Sequence, residues 1–341
     1  MIAAPKSGSG KTMITCALLQ LLKDSGKNVL SYKCGPDYID PMFHKKVLGV
    51  PSKNLDTFFT DEKTTVQLFL DERADGDFAV LEGVMGLYDG LGGIYEQGSS
   101  YHLAKVTQTP IILVVDAKGM GKSVLALIAG FLQYDTQHLI KGVLLNRMSK
   151  GYYDIIKPLI EKELSVKVVG YFPEQKDIRL ESRHLGLVMP DELSDIKKQL
   201  NETADRLKKT IDMDLFMDIA AEADEIGDSG SADVYNEKNI GNCDQNEFSQ
   251  NKAINTVNIA VAMDEAFCFY YEDNLRLLEK CGAKLQYFSP LHDTRLPKDC
   301  DAMLLGGGYP ELYAKELSKN VSMLNAIKKA FRAGMPLVVE W

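Results

Sequence analysis

The sequence predicts an α/β protein in which a parallel-sheet domain built around a phosphate-binding loop is followed by a second, incomplete α/β domain. Three observations predict it. Short apolar runs alternate with helix-patterned segments, as parallel strands joined by crossover helices require. A glycine-rich stretch opens a helix near the first residue, and the alternation of strand and helix starts again after a long polar interruption.

The stretch "APKSGSGKT" begins at Ala4. Ser7, Gly8, Ser9 and Gly10 form a loop whose backbone N–H groups can close on phosphate oxygens; Lys11 offers an ammonium for the terminal phosphates and Thr12 a hydroxyl for Mg²⁺. Ile14, Leu18, Leu19, Leu21 and Leu22 then keep an apolar stripe at near-helical spacing up to Gly26, so a helix N-terminus points at the phosphates. Pro5 stands where the usual G-x-x-x-x-G-K-[ST] pattern has glycine. The loop is therefore a variant, and it resembles the deviant form with an extra upstream lysine. Lys6 reads as an exposed lysine, with a second phosphate contact as the alternative. Only Met1, Ile2 and Ala3 precede the loop, whereas its strand is expected to run about five residues.

Further strands are expected at 28–33, 78–84, 110–117, 141–148 and 166–173. The unbroken "IILVV" run predicts a strand covered on both faces. "YKCGPDYIDPMFH" follows the second of these strands and so lies at the carboxyl edge of the sheet, where open α/β folds bind ligands. It reads as a loop stiffened by Pro36 and Pro41 and carries Asp37, Tyr38, Asp40 and His44. "LEGVMGLYDG" places Glu82 at the next strand end and Asp89 in the glycine-rich loop beyond it. A strand-tip carboxylate beside a phosphate loop can bind Mg²⁺ directly or through water. A buried structural glutamate would instead need a paired cation, and no lysine or arginine declares itself as that cation. The methionines of "GVMGLY" and "KGMGKS" read as packing.

Composition sets outer bounds. A chain of 341 residues is long enough for about two domains and a sizeable core. A net charge of −9 with no lysine-rich block argues against a nucleic-acid partner held through phosphate contacts. The six cysteines, Cys16, Cys34, Cys243, Cys268, Cys281 and Cys300, contain no C-x-x-C pair, which speaks against a zinc cluster or disulfide framework and for a reducing, cytoplasmic setting. No basic-then-apolar leader and no long apolar run appears, so neither export nor membrane insertion is expected.

Residues 191–225 read as charged helix. Residues 226–256 are rich in Asn, Ser, Gly, Asp and Gln, with too few large apolar groups for a core, and are expected to be a flexible linker between domains at 1–225 and 257–341. Strand and helix signals return in "VNIAVAMDEAFCFYY", "DAMLLGGGYPEL" and "MPLVVEW".

"KCGPDYIDPMFH", "LEGVMGLYDG", "ESRHLGLVMP" and "LLGGGYPEL", in this order behind the phosphate loop, resemble the cobyrinic acid a,c-diamide synthase family, glutamine-dependent ligases of corrin biosynthesis. The resemblance spans the whole chain except the polar interruption. It implies ATP-dependent amidation of the a- and c-acetate carboxylates of cobyrinic acid or a related carboxylated tetrapyrrole, with Mg²⁺, and with nitrogen from glutamine or ammonia. In this reading Lys11 and Thr12 hold the nucleotide, Glu82 and Asp37 complete the metal site, and Asp40 and Asp89 orient substrate or ammonia. Tyr38, His44 and Arg183 contact the carboxylates of the ring, and Asn146, at the end of "GVLLN", pairs with the adenine edge. His184 beside Arg183 reads as structural. A nickel-sirohydrochlorin a,c-diamide synthase is an alternative with nearly the same motifs, and a P-loop switch ATPase is a second. A homodimer is an assembly open to either.

The second domain resembles a class I glutamine amidotransferase, in which a Cys at a strand-to-helix elbow attacks glutamine. After "PLVVE" this sequence has Trp341 where the family has that Cys, so both ends are expected to be truncated and the glutaminase half inactive. An unpaired sheet edge with exposed apolar surface is expected there. Cys268, Cys281 and Cys300 read as small buried apolar residues. The backbone at Gly307 and Gly308 reads as the remnant of an oxyanion site.

Overall fold

The computed structural model describes residues 1–71, 76–175, 193–223 and 256–340. The chain divides into two compact units, Met1–Ser231 and Ala232–Trp341. All of the expected 226–256 linker except Thr256 lies outside the described residues, as does the segment with Arg183 and His184.

The first unit is built on seven parallel strands: β1 (Ile2–Ala3), β2 (Val29–Cys34), β3 (Ser52–Leu55), β4 (Phe78–Glu82), β5 (Ile111–Asp116), β6 (Ile140–Asn146) and β7 (Lys167–Phe172). They lie in the order β3-β2-β4-β1-β5-β6-β7. The strand that carries the phosphate loop is only two residues long, but it sits at the sheet centre, where Ile2 pairs with Glu82 and Ile112 and Ala3 with Leu113. Neighbours on both sides supply what its length does not. The loop after β4 extends this pairing: Gly83 N donates to Ile2 O at 2.9 Å and Leu87 N to Ala4 O at 2.8 Å.

Alternation along the strands builds two cores. Leu113 and Val115 point into the layer that also buries Tyr32, Leu81 and Val143. Ile112 and Val114 point into the other, where they meet Ile14 and Leu18 of helix α1 (Lys11–Asp24). The "IILVV" run is continuous because β5 is covered on both faces. Each of these five side chains is buried, and burying a Leu or Ile contributes about 1.5–3 kcal/mol.

Three expectations change here. Strand β3 was absent from the sequence reading, because "SKNL" has no apolar alternation. The segment after β2 is not all loop: helix α2 (Ile39–Phe43) begins one residue past Tyr38 and runs into a π-helical turn at His44–Leu48. Pro41 is tolerated because it lies in the first turn, where its missing N–H has no intrahelical partner to lose. Met85, expected to pack, is 44% exposed with φ +47°.

In the second unit β8 (Val257–Ala262), β10 (Ala283–Phe288), β11 (Ala302–Leu305) and β13 (Leu337–Val339) form a parallel sheet in the order β10-β8-β11-β13. β9 (Phe267–Phe269) and β12 (Gly307–Gly308) form a short antiparallel ribbon. The core gathers Ala260, Ala262, Phe288, Met303 and Met323. β13 pairs with β11 and ends the sheet among the described residues, with Val338 and Val339 exposed. A Cβ at Gly306 would fall 2.4 Å from the Tyr270 ring, and one at Gly308 would fall 2.1 Å from Ala266 O. Close approach thus accounts for the missing side chain at Gly306 and Gly308 in "LLGGGYPEL". Cys281 is exposed, and Cys268 and Cys300 are half-buried, so none is the fully buried thiol expected.

Candidate active site

The carboxyl ends of β1, β2 and β4 bring the candidate residues together. Gly8 and Gly10 have φ of +74° and +90°, a left-handed backbone that any side chain would strain. Gly10 is also crowded: a Cβ there would lie 2.2 Å from Asn146 Nδ2. The loop closes on itself through Ser9 Oγ, which donates to Lys6 O at 2.9 Å. Lys6 and Ser7 are exposed. Lys11 Nζ donates to Met85 O at 2.6 Å. Burial, with the nearby Lys33 charge, lowers the Lys11 pKa to about 8, against the pull of Glu82, Asp40 and Asp89.

Thr12 Oγ1 donates to Glu82 Oε1 at 2.7 Å and lies 3.5 Å from Asp40 Oδ2. Glu82 is 0% exposed. The cation that a buried glutamate requires is Lys33, at the end of β2: its ammonium lies 3.0 Å from Glu82 Oε1 and 3.6 Å from Asp37 Oδ2, and it makes a short bond to Asp40 Oδ2. Burial works against the charged form of Lys33, but Glu82, Asp40 and Asp37 outweigh it and hold the pKa above the ordinary lysine value. Asp40 is pushed above the usual carboxylate range by burial and by Glu82, with Lys33 opposing. The sequence reading missed Lys33. Its signal was the pairing of "YK" at one strand tip with "LEG" at the next, which only the β2–β4 neighbourhood makes visible.

The other candidates are placed as follows. Asp37 and Asp89 brace loops: Asp37 Oδ1 accepts from Ile39 N at 3.0 Å and Asp40 N at 3.3 Å, and Asp89 Oδ2 accepts from Gly86 N at 2.9 Å. The structure thus brings Asp40, not Asp37, to Thr12. His44 is a correction: at 0% exposed it has no surface to offer a ring carboxylate. Its Nδ1 shares a 2.9 Å hydrogen bond with Ser31 Oγ, its Nε2 faces Glu82 Oε2 at 3.6 Å, and burial lowers its pKa to about 4. Asn146 has both ends of its amide engaged, with Nδ2 donating to Ser9 O at 2.8 Å and Oδ1 accepting from Arg147 N at 2.9 Å. Tyr38, half-buried, precedes α2.

Carboxylate oxygens of Glu82 and Asp40 therefore lie 2.7 and 3.5 Å from Thr12 Oγ1, and Glu82 Oε2 has no hydrogen-bond partner among the described residues. Such a set of hard oxygen donors fits Mg²⁺, which takes one or two carboxylates and completes its shell with water and phosphate oxygens. No group of three or more His, Cys, Asp or Glu among the described residues could hold a metal alone.

Two family models match this chain. Residues 1–188 match the CobQ/CobB/MinD/ParA nucleotide binding domain, and residues 258–340 match the CobB/CobQ-like glutamine amidotransferase domain. Among curated relatives, the cobyrinate a,c-diamide synthase of Clostridium tetani is 39% identical over 100% of this chain and 72% of its own length. That of Thermoplasma volcanium is 39% identical over 100% of this chain and 70% of its own. The chain belongs to the cobyrinate a,c-diamide synthase family. Members of the cobyrinate a,c-diamide synthase family are carbon–nitrogen ligases, and this chain carries both a nucleotide-binding and an amidotransferase domain. A solved MinD complexed with Mg-ADP from Pyrococcus horikoshii overlaps 61% of this chain and 94% of that chain at 18% identity and a TM-score of 0.39. No described helix is long and apolar enough to cross a membrane.

Proposed function

We propose that the chain amidates the a- and c-acetate carboxylates of cobyrinate in cobalamin biosynthesis, using ATP to activate each carboxylate as an acyl phosphate. The observation that carries this reading is the Thr12–Glu82 contact of 2.7 Å, which joins the phosphate loop to a strand-tip carboxylate in a chain of this family.

A carboxylate is a poor acyl donor until one of its oxygens becomes a phosphate leaving group. The substrate carboxylate attacks the γ-phosphorus and ADP departs; ammonia then attacks the acyl carbon and inorganic phosphate departs with one former carboxylate oxygen. Phosphoryl transfer needs mainly positioning and charge neutralisation. The backbone of Ser7–Gly10 and the N-terminus of α1 cradle the phosphates, and Lys11 leaves Met85 O for the γ-phosphate. Thr12 and Glu82, with Asp40 beside them, would hold Mg²⁺, which neutralises charge on the transferring group. Asp40, 3.5 Å from the Thr12 hydroxyl, is placed to orient substrate or ammonia beside the transferring phosphate. Asp89 keeps the loop after β4 in place. Nitrogen comes from glutamine through the second unit or from free ammonia.

The test follows oxygen. Cobyrinate labelled in its acetate carboxylates is incubated with ATP, Mg²⁺ and an ammonium salt, and the released phosphate is analysed by mass. One labelled oxygen per phosphate is expected. Unlabelled phosphate accompanying diamide would overturn the acyl phosphate, and turnover confined to nickel-sirohydrochlorin would move the assignment to that substrate.

A further inference from the structure

We infer that two hydrogen-bonded loops beside the phosphate site form an apolar platform for the face of a flat, carboxylate-fringed macrocycle. This rests on the proposed function and adds the surface that holds the body of the substrate. The loops follow β3 and β4, and in the sheet order β3-β2-β4-β1 all parallel strands send their carboxyl ends to one edge. The platform therefore adjoins the phosphate loop and the Asp37–Asp40 segment. The first loop presents Phe58 and Phe59, 57% and 64% exposed; the second presents Met85, Leu91, Ile94 and Tyr95, 44%, 46%, 80% and 59% exposed. The two loops touch: a Cβ at Gly98 would stand 3.5 Å from Phe58 Cβ.

Neither loop is slack. Phe58 N donates to Asp56 Oδ1 at 2.8 Å and Thr60 N to Asp56 O at 3.0 Å. Leu91 N donates to Gln97 O at 2.8 Å, and Tyr95 N to Leu91 O at 3.2 Å. Apolar groups held out to water on a rigid frame are prepared for a ligand, because little ordering entropy remains to be lost on binding. Single exposed apolar residues need no explanation, but a cluster at the mouth of a site does. Met85 joins platform and chemistry in one residue: its carbonyl holds Lys11 Nζ at 2.6 Å while its side chain is open. Its φ of +47° is a strained backbone for a residue with a Cβ, and such strain gathers at ligand sites. A macrocycle laid on this shelf has an apolar face to bury and a carboxylate rim to offer to the adjoining phosphate site.

The experiment uses the full chain carrying Phe58→Ser, Phe59→Ser and Ile94→Ser together. These positions are exposed, so the fold should survive, which circular dichroism checks. Cobyrinate binding is read by absorbance titration, and the KM for cobyrinate and for ATP in ammonia-dependent amidation. The expected result is a rise of about tenfold or more in both Kd and KM for cobyrinate, with the KM for ATP unchanged. Unchanged cobyrinate affinity in the variant, with an active parent, would overturn the platform and leave the function standing. A parent that neither binds nor amidates cobyrinate would overturn the function and the platform with it. Sedimentation separates the remaining occupant: a parent dimer that the variant loses would mean that a second copy of the chain covers these loops, and the platform assignment would fall.

Discussion

Lys33 Nζ lies 3.0 Å from Glu82 Oε1, and both side chains are shut off from solvent. The same Glu82 oxygen accepts the Thr12 hydroxyl at 2.7 Å, so one ammonium at the end of β2 fixes the carboxylate that faces the phosphate loop. Two buried carboxylates are tolerated here because the Lys33 ammonium contacts both and so offsets the cost of their burial.

Replacing Lys33 by Met should therefore be severe. Removing one partner of a buried ion pair leaves an uncompensated charge and costs about 3–5 kcal/mol. The check is the urea midpoint of Lys33→Met against that of Lys150→Ala, which breaks only an exposed pair with Asp154. The first midpoint should fall sharply and the second should stay within scatter.

Lys11→Ala and Glu82→Gln should each lower ATP-dependent amidation by about a hundredfold or more, the effect of removing a group that stabilises transferring charge. Circular dichroism should still show a folded chain in both, while the urea midpoint of Glu82→Gln alone should fall, because it removes one partner of the buried Lys33 pair. Parental turnover in either variant would sink the assignment of that residue.

Asn146→Ala separates two roles for one amide. If Asn146 chiefly braces the loop through Ser9 O, the variant should lose affinity for ATP and for inorganic triphosphate alike, by about tenfold, since the brace acts on the phosphate cradle. An affinity loss confined to ATP would restore the adenine contact that the sequence suggests.

His44 predicts an acid limb to stability. Its folded pKa of about 4 lies below the unfolded value of 6.5, so between these pH values the unfolded chain binds more protons. Stability is therefore present above pH 6.5 and is lost as pH falls toward 4, by ~3 kcal/mol. Asp40, whose pKa is raised, contributes in the opposite sense, so the comparison is made with His44→Gln, which keeps a neutral polar group. The variant should show a flatter loss of stability by urea titration across this window, and an equal loss would assign the acid limb elsewhere.

How much of this was legible follows from where the information sits. The phosphate loop, the strand-tip Glu82 and the Asp37–Asp40 segment are local patterns and could be read directly. Lys33 could not, because Glu82 lies 49 residues away and only the pairing of β2 with β4 brings the two together, while Asp40, 7 residues on, reaches it from helix α2. His44 differs for a related reason: Pro36 and Pro41 suggest a stiffened loop, whereas a helix and a π-helical turn leave it fully buried, with Nε2 3.6 Å from Glu82 Oε2. Strand β3 carries no alternation of its own and exists because β2 offers it an edge, in the register Ser31↔Ser52 to Cys34↔Leu55. Met85 read as packing because its strained backbone, which turns it outward, leaves no mark in composition.

The central claim is that the phosphate-loop site couples ATP hydrolysis to amide formation on a carboxylated macrocycle. It is tested most directly by following phosphate and diamide together, with ATP, Mg²⁺ and ammonium present and cobyrinate added or withheld. The account predicts that phosphate release depends on cobyrinate, matches the amide formed one for one, and disappears with it in Lys11→Ala. Phosphate released at the same rate without the macrocycle, with no amide formed, would contradict it and make the chain a nucleotide switch.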